Sequence, residues 1–205
     1  MHPNPAFRGA ETARNLAFAR GRGFGTLAVN ADAAPLLSHI PFLLSEDGAS
    51  ADLHLVRSNP IARLGAVDAV IAVTGPDAYI SPDWYGVDDQ VPTWNYIAVH
   101  LRGRLEPLPH DVMHDMLDRQ SKAYEDRLDK MPWTTDKMTS DVLTRMMRQI
   151  LPFRLVIQSV DGTWKLGQNK PDNVRIAAAN AVPTGLGSEK DALARLMLNP
   201  EGDPE

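Results

Sequence analysis

In Arg57-Ser58-Asn59-Pro60 a guanidinium, a hydroxyl, a carboxamide and a proline follow one another. Asn is a favoured helix N-cap, and Pro is favoured at the first helical position. The run therefore places a cation, an O–H and free backbone N–H groups at a helix start, a physical means of holding a phosphate monoester. The same residues also read as an ordinary capped helix with its arginine in water, and residue types alone favour that. His54, three residues before Arg57, is expected near the same point, where a neutral or a charged imidazole has a use.

A second chemistry needs flat faces. Ala78-Tyr79-Ile80-Ser81-Pro82-Asp83-Trp84-Tyr85 and Val91-Pro92-Thr93-Trp94-Asn95-Tyr96 gather Trp, Tyr and Pro in a chain that is only 6% aromatic. Such rings can sandwich a planar ligand while a few polar tips orient it. Near the end, Trp164-Lys165-Leu166-Gly167-Gln168-Asn169 repeats the mixture of indole and amide. The amides of Asn95, Gln168 and Asn169 can donate and accept. The competing reading makes these aromatics anchors of a β core.

Other candidates carry less. His110 and His114 stand at i and i+4, a zinc-like spacing, but Asp111 takes the place of the glutamate of a zinc protease and no third ligand follows. That pair reads as a solvated helix start, and no metal is expected. The glycines of Gly21-Arg22-Gly23-Phe24-Gly25 precede a strand, whereas a dinucleotide fingerprint follows one. No Ser-His-Asp order can be assigned.

Read in chain order with Phe24-Gly25-Thr26-Leu27 and His39-Ile40-Pro41-Phe42-Leu43-Leu44, the runs His54–Pro60, Val91–Tyr96 and Trp164–Asn169 resemble the PaiB-type family, whose members are named FMN-binding negative transcriptional regulators. The resemblance extends from about Phe7 to Asn169. It implies an FMN-binding split barrel, related to pyridoxamine-phosphate oxidases and flavin reductases, that works as a homodimer with flavin at the subunit interface. It further implies FMN phosphate on Arg57, Ser58 and Asn59 with His54 close by, and the strand through Ser38, His39 and Ile40 along the flavin ring. His39 is then either a donor to the flavin edge or a core histidine. Thr93-Trp94-Asn95 or Trp164, Gln168 and Asn169 would reach the flavin held mainly by the partner chain; the alternative for both Trp residues is hairpin core. The chain departs from the pattern at Val56 and Ser58, where smaller residues are usual, at Gly167 for Ser, and at Asp77 for His.

The first reading is an FMN-binding flavoprotein whose standing as an enzyme is open; if it is an FMN-dependent oxidoreductase, the flavin passes electrons from a reduced nicotinamide to a small acceptor. A regulator that represses transcription directly or through a partner is the second reading, and a barrel for heme or another planar ligand the third. No side chain stands out as a general acid or base, so catalytic residues stay unassigned. Direct DNA binding is opposed by a net charge of −5 and by scattered Lys and Arg, because DNA binders usually present a basic patch.

The elements that must position these groups fit a chain of 205 residues, 43% hydrophobic and 23% charged, with no cysteine. That is enough for one domain with a core and appended helices. Cysteine chemistry is excluded, and no apolar run spans a bilayer. The first residues lack a signal peptide's regions, so a cytoplasmic protein is expected. Periodicity predicts a helix over 10–20 and strands over 24–29, 35–44, 51–56, 67–74 and 94–105. A short helix is predicted from Asn59 to about Leu64. Helices are predicted over 110–128 and about 139–149, ended by Pro152. A hairpin follows, with strands 153–160 and 163–166 around Asp161-Gly162. The fold class expected is mainly β with peripheral helices (α+β), a split β-barrel. Residues 1–169 form the barrel domain, with inserted helices over about 110–149. Residues 170–205 form a partly helical extension, with a helix over 187–198 and a disordered end from Asn199.

Overall fold

A computed structural model gives the fold, and residues 2–202 are described. Six strands, β1 (Phe24–Val29), β2 (Leu36–Leu44), β3 (Ser50–Val56), β4 (Val67–Ile80), β5 (Thr93–Pro107) and β6 (Ile150–Lys165), close a barrel in the order β1-β2-β3-β6-β5-β4. The helices are α1 (Thr12–Arg22), α2 (Met113–Glu125), α3 (Ser140–Met147), α4 (Asp172–Ala181) and α5 (Lys190–Leu198). This is the mainly β class with peripheral helices that the periodicity predicts. The chain divides into two compact units: Met1–Arg22, Val73–His100 and Val160–Glu205 in the first, Gly23–Ala72 and Leu101–Ser159 in the second.

In the second unit, strand alternation does the positioning. Leu27, Ile40, Phe42, Leu53, Ile71 and Phe153 are buried. Antiparallel registers set Thr26 opposite both His39 and Ala72, and Ala28 opposite both Leu37 and Val70. These residues lie on the other side of each strand and are exposed or half-exposed. Asp52 of β3 is a charged residue only 5% exposed. Its register partner Arg154 donates to it at 2.6 and 3.0 Å, and Arg119 of α2 at 3.1 Å. A buried carboxylate is tolerable when paired and hydrogen-bonded in this way.

In the first unit, α1 carries Phe18 and Ala19 into the interior, where Ile80, Trp164, Leu166, Ala178 and Leu193 are also buried. Arg14 donates to the carbonyls of Pro200 and Gly202 at 2.7 and 2.8 Å, so Asn199–Gly202 form a held turn instead of the expected disordered end. The rest of that expected tail, residues 203–205, lies outside the described residues.

Four boundaries differ from the sequence expectation. The 153–166 hairpin does not exist: β6 runs unbroken through Asp161-Gly162. Gly162 has no positive φ, and a Cβ there would lie 2.0 Å from Asn15 Oδ1. This glycine makes room for a neighbouring side chain and does not turn the chain. Pro152 lies in β6 and does not end α3, which stops at Met147. β4 continues past Thr74 to Ile80, and its burial alternation changes phase at Gly75-Pro76, as at a bulge. α4 was not expected, since an alanine-rich stretch after Lys170 and Pro171 carried no clear apolar stripe.

Candidate functional site

The Arg57–Asn59 turn is the best-defined candidate. Asn59 caps a single 3-10 turn, Pro60–Arg63, by accepting from the Ile61 N–H at 3.0 Å. Its amide nitrogen donates to Ser38 Oγ on β2, also at 3.0 Å. The structure thus joins Ser38 to the turn, a link the sequence does not reveal. The Arg57 N–H donates to Gln149 O at 2.9 Å, and its Nε donates to Arg148 O at 2.5 Å. Both acceptors follow α3. The guanidinium is thereby aimed by one edge. Among the described residues no acceptor takes its two terminal nitrogens, and Arg57 and Ser58 are exposed. One 3-10 turn carries little dipole, so the expected helix-start contribution falls largely to the guanidinium and hydroxyl.

His39 points outward and shares a hydrogen bond with Thr26 Oγ1 at 3.0 Å, whereas Ile40 is barrel interior at 3% exposure. His39 is therefore no core histidine. His54 is half-buried and is not joined to Arg57 by a hydrogen bond among the described residues. Burial pushes its imidazole below its ordinary value, and the neighbouring Gln120 side chain of α2 opposes that shift. Among the described residues, His54 Nδ1 and Gln120 Nε2 are buried with no hydrogen-bond partner. A histidine held neutral in the fold contributes no pH dependence well above its ordinary pKa. As pH falls below about 6.5 the unfolded chain takes up the proton more readily, so stability should decline with acidity. The midpoint of urea unfolding should drop between neutral pH and pH 5 in wild type, and by less in His54→Asn. An identical pH slope in both would refute the assignment.

In the first unit the aromatic motifs separate. Trp94 is 49% exposed, with Tyr79 edge-on at 6.2 Å, and Asn169 is exposed. Trp164 is 2% exposed; its indole N–H donates to Asn15 at 2.8 Å and Arg14 lies 3.9 Å over its ring. Asn95, also 2% exposed, turns its amide to Met197. Gln168 folds back on its own segment, accepting from the Leu166 N–H and donating to Trp164 O. Thr93 accepts from Lys165 at 2.5 Å. Within one chain, the candidate flavin contacts Trp94, Thr93, Gln168 and Asn169 keep open surface, and Asn95 and Trp164 are committed to the interior. Sequence reasoning missed Lys165, Lys170 and Gln90, whose partners lie far along the chain.

The two histidines of the 110–114 run turn to different partners, His110 to Met147 O at 3.1 Å and His114 to Asp118 at 3.0 Å. A cleft of about 380 Å³ in the second unit is lined by His114, Asp118, Lys122, Trp133 and Asp136. Asp118 there is already bonded by His114 and by Thr135.

Comparison with known proteins shows the family and the fold. A family model described as "Putative FMN-binding domain" matches residues 1–159. The match ends before Trp164. Protease synthase and sporulation protein PAI 2 of Bacillus subtilis (strain 168) is 31% identical over 157 residues, which cover 75% of each chain. Among solved structures, the FAD and heme binding protein from Mycobacterium smegmatis superposes with a TM-score of 0.56 at 17% identity, over 78% of this chain and 73% of that one. The flavocytochrome Anf3 from Azotobacter vinelandii superposes at 0.54 and 12% identity, over 80% and 72%. At such identities the structural likeness concerns the fold.

Proposed function

The chain belongs to the FMN-binding domain family, and on that premise we propose a homodimeric flavoprotein with FMN at the subunit interface, its phosphate held by Arg57, Ser58 and Asn59. The observation that carries this reading is the aimed guanidinium: Arg57 is fixed through its N–H and Nε, among the described residues its terminal nitrogens have no acceptor, and the next residue, Ser58, is exposed as well. A cation fixed in this way loses little conformational freedom on meeting a phosphate. Ser38 anchors the turn through Asn59. His39, on the outward face of β2, is available to the flavin edge. Trp94, Thr93 and Asn169 are the first-unit groups proposed to meet the flavin of the partner chain.

The outward face across β1, β2 and β4 supports dimerisation. Leu37 is 64% exposed there, beside Ala28, Val70 and Ala72, and a two-fold interface is the commonest cover for such a surface. Bound FMN would supply the electron transfer, with a reduced nicotinamide as donor and a small molecule as acceptor. The protein's part is to hold the phosphate, orient the ring and limit water. Among the described residues no helix is long and apolar enough to cross a membrane; a cytoplasmic setting is part of the proposal. Regulation of transcription would then act through flavin state or a partner protein, because a net charge of −5 disfavours direct DNA binding.

Titration of FMN into wild type and Arg57→Ala, followed by flavin fluorescence, tests the reading. A charge-assisted phosphate contact of roughly 1.5–3 kcal/mol corresponds to a loss of about ten- to a hundredfold in affinity. Riboflavin, which lacks the phosphate, should bind both proteins alike. Equal FMN affinity in the two proteins would remove Arg57 from the site.

A further inference from the structure

A second concentration of positive charge lies in the first unit. Lys165, at the end of β6, donates to Thr93 Oγ1 at 2.5 Å. Lys170, five residues on, donates to Gln90 Oε1, also at 2.5 Å. The Lys170 ammonium stands 4.2 Å from the centre of the Tyr85 ring and that of Lys165 5.9 Å from the centre of Phe7. Both lysines are half-buried. Among the described residues neither is paired with a carboxylate. Their anchors are a neutral hydroxyl, a neutral amide and ring faces.

We infer that Lys165 and Lys170, positioned by Thr93 and Gln90, form a binding site for the phosphate group of a small metabolite. The two ammonium groups are anchored on residues only three apart, Thr93 and Gln90, and like charges on half-buried stems of one segment become favourable when a multiply charged anion meets both. Burial, and then the neighbouring Lys170, push the Lys165 ammonium below its ordinary value. Lysine binds phosphate as a point charge, and two such charges suit a dianion better than a carboxylate. The chain supplies further donors beside Lys170. Helix α4, ten residues long, begins directly after Pro171 with no side chain capping it. Val174 and Arg175 already donate to Pro171 O, which leaves the N–H groups of Asp172 and Asn173 at the positive end of the dipole. Asp172 stands at that helix start, but its carboxylate is bonded by Arg175 at 2.6 Å. The proposal does not rest on Arg57, which belongs to the other unit, but it shares Thr93 with the flavin contacts proposed above, so the test reads flavin and pyrophosphate separately.

The probe is inorganic pyrophosphate, titrated calorimetrically into the full chain. Wild type should bind it, and Lys165→Met and Lys170→Met should each weaken binding about tenfold, the loss of one charged contact. Lys137→Met, in the second unit, should leave it unchanged. Flavin identifies the source of the phosphate. Competition between FMN and pyrophosphate, with weaker FMN but unaltered riboflavin binding in Lys170→Met, makes the flavin's own phosphate the occupant. Unchanged pyrophosphate binding to FMN-loaded protein makes it a second metabolite's. Either result supports the site. A measurement on intact protein guards against misfolded variants: in ¹³C-dimethylated protein, saturating pyrophosphate should raise the titration midpoint of Lys165. No pyrophosphate binding, equal loss in Lys137→Met, or an unmoved Lys165 resonance would overturn the inference.

Discussion

Gly103→Ala is expected to destabilise the protein by about 3 kcal/mol or more, beyond the usual range for a single added methyl. A Cβ at this position in β5 would lie 1.9 Å from the Val156 carbonyl oxygen and 3.0 Å from the Ile157 Cα. Both atoms are β6 backbone, so no rotamer change relieves the clash, and the strands must part. Backbone conformation is not the cause, because Gly103 has no positive φ. Gly86 is the control: it has φ +66 but nothing within 4 Å of its virtual Cβ. Gly86→Ala should cost only about 1–2 kcal/mol, from the left-handed backbone alone. Urea unfolding of the two variants should therefore rank Gly103→Ala far below Gly86→Ala. Equal midpoints would mean that β5 and β6 can separate locally at little cost.

Trp164→Ala is expected to cost about 3–5 kcal/mol, the range for deleting a buried large aromatic. The ring is 2% exposed, packs edge-on to Phe18 at 5.6 Å and lies beneath Arg14. Its loss also strands Asn15 Oδ1, on a residue only 3% exposed, without the indole donor. Trp164→Phe separates the two effects: most of the area returns but the hydrogen bond does not, leaving about 1–3 kcal/mol. FMN affinity in the folded Trp164→Phe protein should match wild type. A variant of wild-type stability that binds flavin poorly would instead assign the ring to the ligand and move Trp164 out of the core.

How much of this was legible depends on how far each signal reaches along the chain. β1 was read at its true ends and β2, β3 and β5 nearly so, because period-2 alternation is a local signal. The Asn59 cap was legible for the same reason, since its bond to Ile61 spans two residues. The readings that failed turned on distant partners. Asp161-Gly162 looked like a turn because nothing nearby reveals that Asn15 occupies the space a side chain would need. Nothing near Asp52 in sequence reveals its burial, because its partner Arg154 lies 102 residues away. The same holds for the site: Arg57 takes its aim from Arg148, 91 residues on, and Lys165 from Thr93, 72 residues back. Residue type suggested a phosphate turn, but only the fold shows which nitrogens of Arg57 are spent.

The pairing of β3 with β6, which sets Ser50 opposite Val156 and Val56 opposite Ile150, has a consequence for how the chain is made. β1, β2 and β3 leave the ribosome early and can pair with one another as they appear. β3 must wait for a partner encoded a hundred residues later, with two helices translated in between. Closing so long a loop costs entropy before any contact rewards it, so the last seam forms slowly. Until then the nascent chain shows an open edge with Leu53 and Leu55 alternating along it, a template for neighbouring chains on the same message. Crowded synthesis is therefore the most hazardous stage in the life of this barrel, and slower translation across the 110–149 insertion would lengthen it.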